Sequence, residues 1–489
     1  MPSILLSRAR GYETEHLSGT AESLLPRFHV TGGIGWINDP NGFSLYRGEY
    51  HLFYQYNPYD IHWDTMHWGH VKTRDFIRWE RLPCALAPDQ SYDKDGCFSG
   101  SAVELRDGRH LLIYTGVSKT DDGDEYQTQC LALGDGTEYE KYAQNPVIGT
   151  ELLPEGGSHV HFRDPKIWQD GDRFFVVAGN LSADGSGEVL LFESDDVLNW
   201  RRVGTVAASQ NRLGRMWECP DLFKLDGKDV LLVSPQEMCT EGMEFLYGNT
   251  TLCLIGKLNE DGSLTRETEQ TIDYGLDFYA PQTTLTADGR RVMIAWMQYW
   301  NSVEIRPVKD LPFFGQMTLP RELNVKNGRL IQNPVRELET YRSGKVAYQN
   351  MTVNGRTEFP DVKGRCVDLT VSIRPDGSSV YKSFTVNIAE GNGYAATVCF
   401  SSETGTVLVD RSRAGWPDKV LNQREFAVRD REGEIKLRFI LDRYSFELFV
   451  NDGEQAASFA IFSPEEADGI SFETQGEAVV DIEQYTLDI

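Results

Sequence analysis

At 489 residues the chain is too long for one compact core, and two or three domains are expected. Its formal net charge of −26 repels phosphate backbones and anionic lipid surfaces, which sets aside nucleic acid and membranes as partners. No apolar run reaches the roughly 18 residues that a membrane span requires.

The opening segment, Met1-Pro2-Ser3-Ile4-Leu5-Leu6-Ser7-Arg8-Ala9-Arg10, has an apolar run of three residues. A secretory signal needs about 7 to 15, and the initial Met gives the expectation of a complete chain. Eight cysteines are scattered without a Cys-x-x-Cys pair. That usage suits reduced, mostly buried thiols of a cytoplasmic protein rather than a disulfide framework or a zinc site. Residues 1–30 carry no strong period and are expected to form an N-terminal arm packed on the adjoining domain.

From residue 31 to residue 325 one hairpin unit recurs. It first appears as Trp36-Ile37-Asn38-Asp39-Pro40-Asn41-Gly42 followed by two short apolar runs around a Gly turn. Alone, Asp-Pro-Asn-Gly is ordinary turn chemistry. The unit returns at Ser99-Gly100-Ser101, Asp164-Pro165-Lys166, Glu218-Cys219-Pro220 and Ala280-Pro281-Gln282, so that starts at 39, 99, 164, 218 and 280 are 60, 65, 54 and 62 residues apart. Each interval holds four strands. A second echo, Asp75-Phe76-Ile77-Arg78-Trp79 and Asp196-Val197-Leu198-Asn199-Trp200, falls where an outer strand would begin. Five such copies without a long amphipathic helix between them predict an all-β fold led by a five-bladed β-propeller.

Residues 326–344 read as a connector, helical around Val335 to Tyr341. Residues 345–489 alternate apolar and polar positions between Gly, Asn and Asp turns, as in Leu369-Thr370-Val371-Ser372-Ile373 and Phe446-Glu447-Leu448-Phe449-Val450. This predicts a C-terminal antiparallel β-sandwich.

The first strand of a propeller blade lines the central channel. Asp39, Asp164 and Glu218 are read as one shared position in three blades, so three carboxyls are expected at a single mouth. No His-x-x-x-His or Asp-x-Asp-x-Asp-Gly loop accompanies them, and neither a metal nor a cofactor is expected. Around them stand Trp36, Asn38, Gln55, Trp63, Trp68, Phe98, Trp217, Tyr279 and Trp296. Ring faces for C–H surfaces, with amides and carboxyls for hydroxyls, suit a neutral sugar, although each aromatic alone also fits a blade core.

These motifs in order, with Phe98-Ser99-Gly100-Ser101, Phe162-Arg163-Asp164-Pro165, Trp217-Glu218-Cys219-Pro220-Asp221, Asp277-Phe278-Tyr279-Ala280, Met317-Thr318-Leu319-Pro320-Arg321-Glu322-Leu323 and Val409-Asp410-Arg411-Ser412, resemble glycoside hydrolase family 32, the invertases and fructan hydrolases. Ile37 stands where that family usually has Met. The resemblance covers nearly the whole chain and implies a propeller followed by a sandwich. It also implies a retaining β-fructofuranosidase acting on sucrose or short fructo-oligosaccharides. In that scheme Asp39 is the nucleophile, Glu218 the general acid/base, and Asp164 the transition-state stabiliser held by Arg163. Asn38, Gln55, Trp63, Phe98, Ser99 and Tyr279 would wall the fructose subsite, and Cys219 would tune Glu218. The roles call for Asp39 and Glu218 about 5 to 5.5 Å apart, with the pKa of Glu218 above that of Asp39. A sucrose-6-phosphate hydrolase, a fructosyltransferase and a non-catalytic sugar-binding propeller are the alternatives. Loops such as Met297 to Gln316 would set chain-length preference, and oligomeric state stays open.

Overall fold

The computed structural model describes residues 2–305, 308, 310–377, 381–429 and 432–489. Each repeat is a four-stranded antiparallel sheet whose strands follow one another in space as in sequence. Blade I holds Gly35–Tyr46, Glu49–Asn57, His67–Thr73 and Glu80–Leu86, and blade II holds Gly96–Glu104, His110–Lys119, Glu125–Gly134 and Tyr139–Lys141. Blade III runs through Phe162–Asp170, Arg173–Leu181, Gly187–Ser194 and Arg201–Ala208, and blade IV through Trp217–Leu225, Lys228–Pro235, Leu252–Leu258 and Leu264–Thr271. Blade V takes Tyr279–Leu285, Arg291–Trp296, Arg321–Lys326 and Arg329–Pro334. The propeller therefore continues past residue 325. The segment 326–344 that reads as a connector contributes the outer strand of blade V, and only Arg336–Tyr341, a 3₁₀ helix, links it to the sandwich. The sequence pattern hid this strand because it pairs on one side only, and its residues alternate between buried and half-exposed.

The ring closes through the long loop of blade V. Phe313–Phe314 adds in parallel to the inner strand of blade I, pairing Gly35 with Phe313 and Trp36 with Phe314. Trp36 also stacks flat on Phe314, with centroids 4.6 Å apart. In the same loop, Arg306, Pro307 and Lys309 lie outside the described residues. The Asp75 and Asp196 echoes are turns that precede the outer strands. Each carboxylate accepts two successive backbone N–H groups, Ile77 and Arg78 in one case, Leu198 and Asn199 in the other. That capping holds Phe76 and Val197 at φ 63°.

The C-terminal strands form two layers joined through two long strands. Gly469–Leu487 pairs with Ser383–Gly391 over its first half and with Val367–Pro375 over its second, while Arg342–Thr357 runs beside it along the other edge. The change of partner falls at Gly476, at φ 106°. Phe384, Val386, Val398 and Phe400 from one layer meet Val371, Leu437, Phe439 and Leu448 from the other in one core.

Part of the N-terminal arm is a helix, Ile4–Leu17, started by Ser3, whose side chain accepts from the Leu6 N–H. It escapes a periodicity reading because its buried face is only Leu6, Ala9 and Glu13, while Ile4 faces solvent. Polar contacts dock it on blade I: Glu13 accepts from the Cys84 N–H at 2.9 Å, and Arg10 Nε donates to the Cys84 carbonyl at 2.9 Å.

The seam between propeller and sandwich is a buried chain of alternating charge. Asp442 bonds His29 Nδ1 (2.8 Å), His29 Nε2 bonds Glu447 (3.1 Å), Glu447 bonds Arg321 Nη2 (2.5 Å), and Arg321 Nη1 bonds Asp273 (2.8 Å). All five side chains are shielded from solvent. Burial alone would push the His29 imidazole down, but its hydrogen bonds to Asp442 and Glu447 raise it to about 9. Burial works against the charged forms of Asp442 and Glu447, yet the His29 bond to the first and the Arg321 charge on the second hold both below the usual carboxylate range. The raised His29 contributes stability that is complete below its ordinary value near 6.5 and fades as pH climbs through about 9. The two depressed carboxylates contribute stability above their ordinary values and lose it as pH falls. Thermal melting should thus show a plateau from mildly acidic pH to about 6.5, followed by a decline through about 9 that His29→Gln removes. Glu447→Gln, which strands Arg321 and His29, should lower the unfolding free energy by about 3 to 5 kcal/mol in urea titrations.

Candidate active site

One irregularity, present in each blade, shapes the mouth of the channel. Every inner strand slips register against the second strand at its channel end: between Ile37 and Pro40, Phe98 and Gly100, Arg163 and Lys166, Glu218 and Asp221, and Tyr279 and Gln282. In blades III, IV and V the bulge residue is left-handed, with φ 64° at Asp164, 49° at Cys219 and 52° at Ala280, and a proline follows each. A proline cannot donate to the ladder, so a Pro preceded by Asp, Cys or Ala inside an apolar run marks the bulge. In blade II the strands come so close that a Cβ on Gly100 would lie 2.0 Å from the Ile113 carbonyl oxygen, which only glycine permits.

The bulges also correct the reading of the three acids as one shared position. Glu218 is the last ladder residue before its slip, Asp164 the first residue inside, and Asp39 the second. The register equivalent of Glu218 in blade III is Arg163, and in blade V it is Tyr279. Because a bulge re-aims side chains, three successive positions on three blades converge.

The carboxyls meet around the Cys219 sulfur, which lies 3.5 Å from Asp39 Oδ2 and 3.6 Å from Asp164 Oδ2. The Cys219 N–H donates to Asp164 Oδ2 at 2.9 Å. Cys219 thus contacts Asp39 and Asp164 rather than tuning Glu218 alone, and burial keeps its thiol far above the ordinary value, so it stays protonated. Asp39 is held from both sides: Ser99 Oγ donates to Oδ2 at 2.6 Å and Asn38 Nδ2 to Oδ1 at 3.1 Å. Trp36 Nε1 donates to Asn38 Oδ1 at 2.7 Å, which fixes the amide with its NH₂ toward Asp39. Trp36 itself is locked among Phe314, Trp296 and Trp300.

Arg163 departs from its expected partner. Its Nε and Nη2 donate to Glu218 Oε1 at 3.1 and 2.9 Å, while the approach to Asp164 is 4.0 Å. The reason is register, since Arg163 and Glu218 occupy the same position in adjoining blades and face each other across the seam. Tyr279, at that position in blade V, donates its hydroxyl to Glu218 Oε2 at 2.5 Å. Burial holds the Tyr279 phenol far above its ordinary value, so it remains a donor. Gln55 sits opposite the blade I bulge, buried, with Nε2 on the Cys97 carbonyl. Phe98 packs edge-on against Trp63, which is 49% exposed at the rim. Trp68 and Trp217 are buried with their indole N–H groups bonded to backbone carbonyls, and Trp296 is buried against Trp36, so these three belong to the blades.

Burial pushes the Asp39 carboxyl up; the Ser99 bond opposes this and the Glu218 charge adds to it. Asp164 is raised to about 7, first by burial, with the Arg163 charge opposing and the charges of Glu218 and Asp39 reinforcing. The upward push thus falls on both Asp39 and Asp164. Two carboxyls buried beside one sulfur resist ionising together, so the Asp39 and Asp164 pair gives up its last proton only near neutrality.

Residues without a motif complete the frame. Thr115 Oγ1 accepts from the Asp164 N–H at 2.9 Å and Ser234 Oγ from the Ala280 N–H at 3.1 Å, so the second strand of one blade holds the bulge of the next. Gln127 Oε1 accepts from Arg163 Nη1 at 3.2 Å, and His161 Nδ1 lies 3.2 Å from that same nitrogen. Only the fold brings these to the inner strands; at sequence level they look like any strand residue.

The glycosyl hydrolases family 32 N-terminal domain matches residues 29–334 and the C-terminal domain of that family matches residues 337–488. The chain belongs to glycosyl hydrolase family 32. It is 34% identical over 478 residues to a sucrose-6-phosphate hydrolase of Zymomonas mobilis, covering 93% of this chain and 90% of that protein. It is 35% identical over 464 residues to a raffinose invertase of Escherichia coli, covering 93% of each. A Bombyx mori β-fructofuranosidase of family 32, solved as a mutant in complex with sucrose, superposes with a TM-score of 0.83 at 33% identity, over 100% of this chain and 99% of that one. This family 32 chain is a glycoside hydrolase.

The left-handed bulge gives a direct test of the frame. Ala280→Val places a β-branched side chain at φ 52° and should cost about 1 to 3 kcal/mol in urea unfolding, whereas Ala280→Gly should be neutral or slightly stabilising.

Proposed function

We propose that the chain is a retaining β-fructofuranosidase that releases fructose from sucrose and short fructo-oligosaccharides. The observation that carries this reading is the convergence of Asp39, Asp164 and Glu218 at one mouth, with Cys219 between two of them and Arg163 on the third.

Asp39, ionised, attacks the anomeric C2 of the fructosyl unit, and Glu218 gives a proton to the departing glycosidic oxygen, leaving fructose esterified to Asp39. Glu218 then takes a proton from water, whose oxygen attacks C2 and frees Asp39 with net retention. Ser99, Asn38 and Cys219 hold the Asp39 oxygens in place, so attack requires little rearrangement. Asp164 stays unbonded to the sugar carbon and opposes the positive charge that grows on the ring. Arg163 and Tyr279 aim Glu218. Asn38, Gln55, Trp63, Phe98 and Ser99 surround the fructosyl unit.

The protein is placed in the cytoplasm on this reading. In support, its eight cysteines are free, and among the described residues no helix is long and apolar enough to cross a membrane. Hydrolysis of sucrose 6-phosphate is the second reading, because several relatives carry that name.

Asp39→Ala and Glu218→Ala should each lower kcat on sucrose by roughly three or more orders of magnitude with the melting temperature little changed. Turnover near that of the parent in either variant would refute the assigned roles. The pH profile of kcat/KM should rise from acid pH toward neutrality. Its acid limb falls as the raised Asp39 and Asp164, the latter at about 7, take up protons and lose the charge each brings to the reaction.

A further inference from the structure

The leaving group departs on the Glu218 side of the mouth, so the groups on that rim decide which sugar is tolerated there. Arg215 stands two residues ahead of the blade IV inner strand and is seated by its N–H on the Gln236 carbonyl at 2.8 Å. Its guanidinium faces Glu237, Nη1 to Oε1 at 3.5 Å, with the two side chains 56% and 66% exposed. His161 stands one residue ahead of the blade III inner strand, and burial together with the Arg163 charge holds its imidazole below the ordinary value. With Nδ1 accepting from Arg163, its Nε2–H is a neutral donor suited to a hydroxyl. Lys119, at the blade II rim, meets Glu125 at 3.5 Å, and Arg163 is committed to Glu218.

The hairpins joining second to third strands open on this same end of the propeller. They carry Asp64 in blade I, Asp121, Asp122 and Asp124 in blade II, and Asp184 in blade III, all exposed. A phosphate dianion on the leaving glucose would approach a ring of carboxylates and meet cations that already hold carboxylates of their own. An uncharged sugar meets no such cost. We propose that the leaving-group subsite of this chain is built for an uncharged sugar, with Glu237 as a specificity-determining residue that withholds Arg215 from a 6-phosphate. The proposal rests on the fructofuranosidase reading and decides between its two substrates.

The test uses the full chain and three substrates: sucrose, sucrose 6-phosphate, and raffinose, which carries a neutral galactosyl group on the same glucose oxygen. At low ionic strength kcat/KM on the phosphate should be about tenfold or more below that on sucrose, should recover as salt is added, and should lie below that on raffinose. Glu237→Gln should raise the value for the phosphate by about fivefold while sucrose moves less than about twofold, and Arg215→Gln added to it should abolish the gain. A parent enzyme that prefers the phosphate overturns the proposal, as does one that rejects raffinose and the phosphate alike, or a ratio that Glu237→Gln leaves unmoved. Release of fructose from none of the three would instead remove the reading beneath it, and the proposal with it.

Discussion

The bulge at the channel end of each inner strand is the constraint on which this molecule depends. A regular strand alternates its side chains between two faces, and five regular strands around an axis would give the mouth one side chain per blade at each level. Slipping the register by one residue at the same height in all five blades brings two or three neighbouring side chains of a strand to the mouth instead. Asn38 and Asp39 can then both face the cavity, as can Arg163 and Asp164, and Glu218 and Cys219. The left-handed residues at 164, 219 and 280 carry the strain of that arrangement, held by hydrogen bonds from the adjoining blade.

That geometry also orders the electrostatics. The acids on blades I and III, Asp39 and Asp164, come together over a neutral thiol and take the burden of burial. Glu218, one register step earlier, faces the cation and phenol at the equivalent step of its neighbours. Two environments within one cavity separate the acids into a pair that shares a sulfur and a third with its own donors. Such separation is what acid/base division of labour requires.

The sandwich contributes through the seam rather than through the mouth. Its Asp442 and Glu447 bracket His29, just ahead of the first blade, and reach Arg321 in the last. The first and last blades are therefore tied to a common partner, in addition to the Phe313–Phe314 strand that closes the ring. Arg411 makes a second buried contact of this kind with Asp277, two residues ahead of Tyr279. Both fix the spacing of the blades that hold the site. Buried ion pairs are weak sources of net stability, but they penalise misdocking strongly, because any displacement leaves a charge without its partner.

How far the sequence reached depends on what kind of information repeats. Five hairpin units at regular spacing, each opening on an acid, serine or alanine with Pro or Gly one or two residues on, specified the propeller. The alternating C-terminal runs specified the sandwich, and the ordered motifs singled out Asp39, Asp164 and Glu218. These are local patterns, set by backbone sterics and by which face is buried. The helix at Ile4–Leu17 and the strand at Arg329–Pro334 escaped because one docks through Glu13 and Arg10 and the other is an edge, so neither shows a clean apolar period. Pairing across blades was decided only in three dimensions: that Arg163 serves Glu218, that Cys219 stands between Asp39 and Asp164, that Thr115 and Ser234 hold the bulges of their neighbours. Those contacts join residues that are far apart in the chain, between 46 and 180 positions in the case of Ser234 with Ala280 and Cys219 with Asp39. Register between blades, which no single strand encodes, places them.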